Sequence, residues 1–462
     1  MKEPVNDCPI YDLAGIVDTQ KQFFAAGKSR NLPHRLESLV KLELEIIRQG
    51  DALLAALASD LGKPALEAYV AEYHFVLTEI RLFRKKLARW ARPQRVGNPF
   101  FILPARSEIR REAFGVALIA APWNYPFQLS LSPLVAAVAA GNCVVLKPSE
   151  LAPATARLLS RIVAAVFDPA HVTVVEGGPE LGKELLAQPF DFWFYTGSER
   201  VGRLYAEAAA KTLTPVALEL GGKCPCLVDK DVDLKLAAER ILSGKFFNAG
   251  QTCIAPDFVL VPESLKADFL ATAREILTAS YGEENPDDLA CMVSDSHYRR
   301  LRGLATPDEI RIGEDDPANR RLAPRLLPDA GWDSPAMQDE IFGPILPVIG
   351  YTSLDETLER LSRLPSPLAL YVFSRNREVR ERVAATIRSG SICLNDTLKQ
   401  ATNLSLPFGG VGPSGMGRYR GRAGFECFTY ARSVTRRFFL RDLFATKPPY
   451  GNQLEQLRKI LK

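Results

Sequence analysis

The feature that most constrains this chain is a run without a charged residue, GVALIAAPWNYPFQLSLSPLVAAVAAGNCVVL, residues 115–146. A stretch this long and this uncharged must be buried, either in a membrane or in protein. A membrane-spanning helix needs about 20 consecutive apolar residues. Here Pro122, Pro126 and Pro133, with Asn124 and Asn142, divide the run into strand, loop, helix and strand. Proline fixes φ and removes a backbone donor, which works against one continuous helix. The run is therefore expected to be a crossover unit inside an α/β protein, and no integral membrane segment is expected.

Short apolar runs alternate with helical stretches beyond it. Strands are expected at 116–121, 144–146, 172–175, 192–195 and 216–220, with helices at 131–140, 154–166, 180–187 and 198–211. This alternation gives a parallel sheet covered on both faces. A second such region runs from about residue 222 to 395. Its helix at 233–245 carries Leu234, Ala237, Ala238, Ile241 and Leu242 on one stripe. Its strands are expected at 258–261, 345–349, 370–373 and 391–394. The first ninety residues read as helices at 23–47, 52–61 and 69–90. The proline-broken segment 93–115 suits an arm or linker. The tail carries the glycine-rich PFGGVGPSGMGRYRG and then FECFTYARSVTRRFF, which can form a strand.

The bulk properties exclude several classes. The 462 residues suggest about three domains at roughly 150 residues each. A net charge of +4 gives no reason to expect a nucleic-acid partner. Eight scattered cysteines without C-x-x-C, and four histidines without H-E-x-x-H, argue against a disulfide framework and against a metal site. The N-terminal MKEPVNDCPIYDLAG has no basic region followed by an apolar core, so no secretory signal is expected. The expected location is a reducing, cytoplasmic one.

Two residues stand out chemically. Cys253 sits in FFNAGQTCIAP among Asn, Gly, Gln and Thr. A free cysteine is usually a small hydrophobe, and a nucleophile only in special surroundings. Glu219, in LELGGK, ends an apolar strand run beside glycines. It is either a strand-end ion-pair partner or a carboxylate whose burial raises its pKa into the range of a general base.

The stretches APWNYP, LKPSE, FYTGSERVG, LELGGK, GQTC, EIFGP and LPFGG occur in that order from about residue 120 to 410. Together they resemble the aldehyde dehydrogenase superfamily, and most of all its class 3 branch of fatty- and aromatic-aldehyde enzymes. The resemblance covers nearly the whole chain. It implies an aldehyde dehydrogenase-like α/β fold with a Rossmann-type cofactor domain, an α/β catalytic domain and a small β bridging arm. The implied segments are 1–92 and 112–220 for NAD(P) binding, 221–398 for catalysis, and 93–111 with 399–462 for the arm and tail. It also implies a homodimer.

The resemblance further implies that Cys253 adds to an aldehyde, Asn124 helps to hold the oxyanion, and Glu219 activates the hydrolytic water, with Glu340 a second candidate for part of that task. Glu340 would also hold the nicotinamide ribose and Phe342 pack on the ring. Lys147 and Glu150 would face the adenosine ribose. Thr196, Gly197, Ser198, Gly202 and Leu220 complete the cofactor set. No G-x-G-x-x-G follows a strand. Gly197 and Ser198 instead lie at a strand-to-helix turn whose N–H groups suit a pyrophosphate. A glutamate on the ribose hydroxyls favours NAD, with NADP use left open by the lysine. Tyr125, Phe247, Thr252, Thr402 and Phe408 either line an aldehyde channel or belong to the core. The implied reaction is NAD(P)-dependent oxidation of medium- or long-chain aliphatic or aromatic aldehydes to acids. Its rivals are an acylating enzyme that passes the thioester to coenzyme A, which Glu219 argues against, and a catalytically silent NAD-binding scaffold.

Overall fold

A computed structural model describes residues 11–282, 288–440 and 448–460. Residues 1–10, on which most of the reading of the N-terminus rests, lie outside the described residues, as do the extreme ends of the first and last expected segments.

The uncharged run forms the strand Val116–Ala120, the helix Gln128–Ala140 and the strand Cys143–Lys147. The two strands pair in parallel, Val116 opposite Cys143, and every residue of the three elements is buried. The helix starts three residues earlier than expected, so Pro133 lies inside it.

These strands are the centre of a six-stranded sheet. Its order is Gly415–Met416, Val216–Glu219, Phe192–Thr196, Val116–Ala120, Cys143–Lys147 and Val172–Val174. All neighbours are parallel except the Gly415–Met416 edge. From the central strand the chain builds first to one side, then returns to build the other. The direction changes between Val116–Ala120 and Phe192–Thr196. In such sheets a crevice opens at this point beyond the carboxyl ends of the strands.

A second, seven-stranded sheet runs Ile310–Arg311, Arg325–Leu327, Ile345–Tyr351, Phe258–Pro262, Pro225–Val228, Ala369–Phe373 and Ser391–Leu394. A third has three antiparallel strands, Gln94–Val96, Ala105–Ala113 and Thr429–Arg437. No helix among the described residues is long and apolar enough to cross a membrane.

Several local expectations need correction. The helix expected over 23–47 is two helices, Leu13–Ala25 and Leu32–Arg48. The break has two causes. Gly27 takes φ +77°, and the Asn31 side chain caps the second helix by accepting from the His34 N–H at 3.2 Å. The helix expected over 69–90 opens with a π-helical turn, Tyr69–His74, before continuing as Phe75–Trp90. The strand Pro225–Val228 was not expected, yet it lies inside the second sheet. Its proline occupies the first position of the strand, the place where a missing donor is tolerated.

Where the first helices meet the six-stranded sheet, His171 is buried against Phe23, His34 and Phe167, with ring centroids 5.3, 5.2 and 5.6 Å away. Burial pushes its pKa down from 6.5 to about 4. The folded state therefore favours the neutral ring. The contribution to stability is complete above pH 6.5 and is lost as pH falls from 6.5 towards 4. The drop amounts to about 3 kcal/mol, at about 1.36 kcal/mol per pKa unit. His171→Gln should flatten the fall in melting temperature across that window. An equally steep fall in the variant would show that another group carries the acid sensitivity.

Candidate active site

The segment that carries Cys253 has an unusual backbone. The helix Leu234–Phe246 ends in the 3-10 turn Phe247–Gly250. Within it Asn248 and Ala249 take φ 53° and 52°, and Gly250 takes φ 74°. Left-handed backbone at non-glycine residues costs on the order of 1–3 kcal/mol each and persists only where the surroundings over-determine it. They do so here. The Asn248 N–H donates to Glu67 Oε2 at 2.8 Å. Its side-chain amide donates to the carbonyls of Asn124 and Gln251 at 3.0 and 3.1 Å. The Gln251 amide donates to the Cys291 carbonyl at 3.0 Å and accepts from the Val293 N–H at 3.2 Å. A side chain at Gly250 would meet the Gly343 carbonyl oxygen at 2.3 Å, so only glycine fits.

This loop delivers Cys253 to the wall between two cavities. The larger has a volume of about 680 Å³, and Tyr125, Phe247, Thr252, Thr402 and Phe408, the five channel candidates, all line it. The smaller, about 180 Å³, lies at the switch point of the six-stranded sheet and is lined by Trp123, Asn124, Gly197, Ser198, Glu340 and Phe342 among others. Cys253, Glu219, Thr196 and Leu220 face both. Gly202 is one turn inside the helix Glu199–Thr212, packed on Leu220, so it sets helix packing and leaves Gly197 and Ser198 to line the crevice. Lys147 and Glu150 pair with each other at 3.2 Å. They lie at the carboxyl end of the adjacent strand and line neither cavity.

Electrostatics at the wall is dominated by burial. Glu219 is 2% exposed, and neither of its carboxylate oxygens has a hydrogen-bond partner. Burial pushes its pKa well up, against the pull of Arg418 and Arg420. Glu340 is pushed up to about 8 by burial and by Asp257. It reaches the wall because position 221 is glycine: a Cβ there would lie 2.1 Å from Glu340 Oε2. The Cys253 thiol is pushed up to about 12, by burial first and then by Glu340 and Glu219, while Arg420 opposes them. Asn124 is buried and its side-chain amide donates to the Gln251 carbonyl at 3.0 Å.

Some residues of the site were not expected. Arg420 lines the larger cavity, with its guanidinium 4.6 Å from the Phe75 ring centroid and 4.5 Å from that of Phe408. In sequence it is one more cation of GRYRGR, and only the flanking glycine-rich loop hinted at it. Trp123 stands edge-on to Phe342 at 5.4 Å. Its signal was its place next to Asn124. Cys224 and Cys226 are fully buried, and the Cys224 thiol donates to the Cys253 carbonyl at 3.5 Å.

The profile of the aldehyde dehydrogenase family matches residues 7–434. This chain belongs to the aldehyde dehydrogenase family. Among its relatives, the 4,4'-diaponeurosporen-aldehyde dehydrogenase of Staphylococcus aureus is 41% identical over 96% of this chain and 97% of its own length. A rat relative named aldehyde dehydrogenase, dimeric NADP-preferring, is 41% identical over 93% of this chain and 96% of its own. Among solved structures, the substrate-bound state of Staphylococcus aureus AldH superposes with a TM-score of 0.95, at 40% identity, covering 98% of this chain and 100% of that one. An indole-3-acetaldehyde dehydrogenase in complex with NAD+ gives a TM-score of 0.84 at 25% identity, covering 92% and 89%. The mixed α/β architecture with two largely parallel sheets is that of an aldehyde dehydrogenase, and the enzyme class is aldehyde oxidation.

In this aldehyde dehydrogenase the negative charge of Glu340 opposes ionisation of Cys253 more strongly than that of Glu219 does. Glu340→Gln should therefore speed alkylation of Cys253 by iodoacetamide at pH 9 in the cofactor-free protein. A shift of one pKa unit would give about a tenfold gain. A rate equal to or below wild type would show that Glu340 does not face the thiol.

Proposed function

We propose that this aldehyde dehydrogenase oxidises medium- or long-chain aliphatic or aromatic aldehydes to carboxylic acids, with NAD as hydride acceptor and Cys253 as covalent nucleophile. The observation that carries the reading is the place of Cys253, on the shared wall of a roomy cavity and a smaller one at the switch point of a parallel sheet.

The smaller cavity suits a nicotinamide cofactor. The helix Glu199–Thr212 begins there with no side-chain cap, which leaves its first N–H groups free for a pyrophosphate. Phe342 and Trp123 offer ring surface, and Glu340 offers a carboxylate to ribose hydroxyls. Lys147 and Glu150, one strand along, would meet the adenosine ribose. Bound NAD would supply a hydride acceptor and a positive ring near the thiol.

The chain's own residues do the rest. The Cys253 sulfur adds to the aldehyde carbon, and its proton leaves for solvent through the site. Asn124 and the Cys253 N–H hold the oxygen that becomes negative. When this oxygen re-forms its carbonyl, the carbon gives up hydride and a thioester remains on Cys253. Glu219 then takes a proton from water as the water attacks the thioester. The C–S bond breaks, the acid leaves and the thiol returns. Glu219 is buried, unpartnered and raised in pKa, as a base near neutrality requires. Its place beside Cys253 favours release to water over transfer to coenzyme A. The larger cavity, with Phe75, Tyr125, Phe247 and Phe408 on its wall, favours extended apolar or aromatic substrates.

The reading extends to assembly. Segments 1–92 with 112–220 would form the cofactor domain, 221–398 the catalytic domain, and 93–111 with 399–462 the arm and tail. The arm's edge strand Thr429–Arg437 is exposed along most of its length, which suits a homodimer. The seven described cysteines are all free, in keeping with a reducing cytoplasm.

Two measurements test the roles. Glu219→Gln should leave hydride transfer intact and slow hydrolysis by about a hundred- to ten-thousand-fold. Stopped-flow absorbance would then show a burst of one NADH per site and a slow steady state. Steady-state turnover near wild type would move the base role to Glu340. Glu150→Gln should raise kcat/KM for NADP relative to NAD, because a carboxylate that repels the 2′-phosphate is gone. An unchanged ratio would place Glu150 away from the ribose.

A further inference from the structure

A charge pair lies behind the catalytic wall where an amphipathic reading of the sequence puts none. Lys63 follows the helix Gly50–Leu61, and Glu72 lies in the π-helical turn Tyr69–His74. Their side chains form an ion pair with no exposure on either partner. Burying two charges costs several kcal/mol of hydration per ion unless further hydrogen bonds use up the remaining donors and acceptors. Here those further bonds all go to one loop. Lys63 Nζ donates to the Asn124 carbonyl at 2.9 Å and stands 4.2 Å from the centroid of the Tyr125 ring. Glu72 Oε2 accepts from the N–H groups of Phe127 and Gln128 at 2.9 and 3.3 Å. Thus the pair grips both ends of the stretch from Asn124 to Gln128.

The same loop is joined to the nucleophile's loop. Asn124 receives the Asn248 amide on its carbonyl and gives its own side-chain amide to the Gln251 carbonyl. The Tyr125 and Thr252 hydroxyls hydrogen-bond at 2.6 Å. Lys63 and Asn248 therefore share one acceptor, the Asn124 carbonyl, and fix the peptide from which the Asn124 side chain projects.

We propose that the buried Lys63–Glu72 pair is a positioning element of the reaction, which holds Asn124 at the distance from Cys253 that the oxyanion requires. The proposal rests on the reading of Asn124 as oxyanion donor. Lys63 and Glu72 line neither cavity, so they act through Asn124 and touch no substrate. A π-helical turn is the device that places Glu72: such turns recur at functional sites because they re-aim one side chain.

The test is a double-mutant cycle read by single-turnover NADH formation. Asn124→Ala should slow hydride transfer by about a hundred- to a thousand-fold, as loss of an oxyanion donor does. Lys63→Met should slow it by about a hundredfold, the cost of a misplacement near 1 Å. Lys63→Met/Glu72→Gln leaves no unpaired buried charge and guards against a failure to fold. It should be as slow as Lys63→Met. In the Asn124→Ala background, Lys63→Met should cost almost nothing more, because groups that act as a unit are not additive. Alkylation of Cys253 by iodoacetamide and the affinity for NAD should stay at wild type in Lys63→Met and in Lys63→Met/Glu72→Gln. A merely structural pair would change them together with the rate. Multiplicative losses in the cycle, or wild-type hydride transfer in the charge-free double variant, would overturn the proposal. Wild-type hydride transfer in Asn124→Ala would instead remove the oxyanion reading, and the positioning role with it.

Discussion

The site depends on one strained loop. Asn248 and Ala249 hold a backbone that the chain would not adopt by itself, and they hold it because hydrogen bonds arrive from three directions. Glu67 takes the Asn248 N–H, the Asn124 carbonyl takes its side chain, and Gln251 ties the turn to Cys291 and Val293. Each bond joins a different part of the chain to the five residues before Cys253. The helical N-terminal region, the crossover of the first sheet and the loop that precedes the helix Asp295–Arg302 all meet there. A cysteine on a mobile loop could not serve as the wall between two cavities. This one can, since its neighbours have no freedom to let it turn away.

The second consequence is electrostatic. The wall is built from apolar strand ends, so burial raises the pKa of Cys253, Glu219 and Glu340 together. For the glutamates this is useful, because a carboxylate raised towards neutrality can take a proton from water. For the thiol it is a restraint. With two acids beside it and Arg420 as the cation that opposes them, the thiol stays protonated in the free chain. Under the proposed function, a positive nicotinamide ring held in the smaller cavity by Glu340 and Phe342 would relieve that restraint. Arg420 itself is held by aromatic faces and kept largely from water.

Much of this was visible in the residues, and the limits have physical causes. The uncharged run 115–146 could only be a buried crossover once its prolines were counted, and it became the centre of the first sheet. Cys253, Asn124, Glu219, Glu340 and Phe342 were picked out because ordered motifs carried them, and all five line the smaller cavity. Lys63, Glu67 and Glu72 were not found. In sequence Lys63 and Glu67 fall between the helices expected at 52–61 and 69–90, Glu72 is one charge within the second, and local periodicity cannot show that Lys63 points inward to a partner 61 residues away. The strand Pro225–Val228 was hidden for a different reason: four residues that begin with a proline and a cysteine carry little period-two signal. Gly27 and Asn31 did signal the break between the first two helices, but the apolar spacing across them was the stronger pattern.

Under the proposed function, one sulfur divides a cofactor cavity from an aldehyde cavity. The most direct measurement is a crystal structure of Cys253→Ala soaked with NAD and a long-chain aldehyde together. The predicted result has both molecules bound at once. The nicotinamide lies against Phe342 and Glu340, the aldehyde carbon lies in the cavity of Tyr125 and Phe247, and both touch residue 253. Density for NAD in the larger cavity, or mutual exclusion of the two ligands, would contradict it.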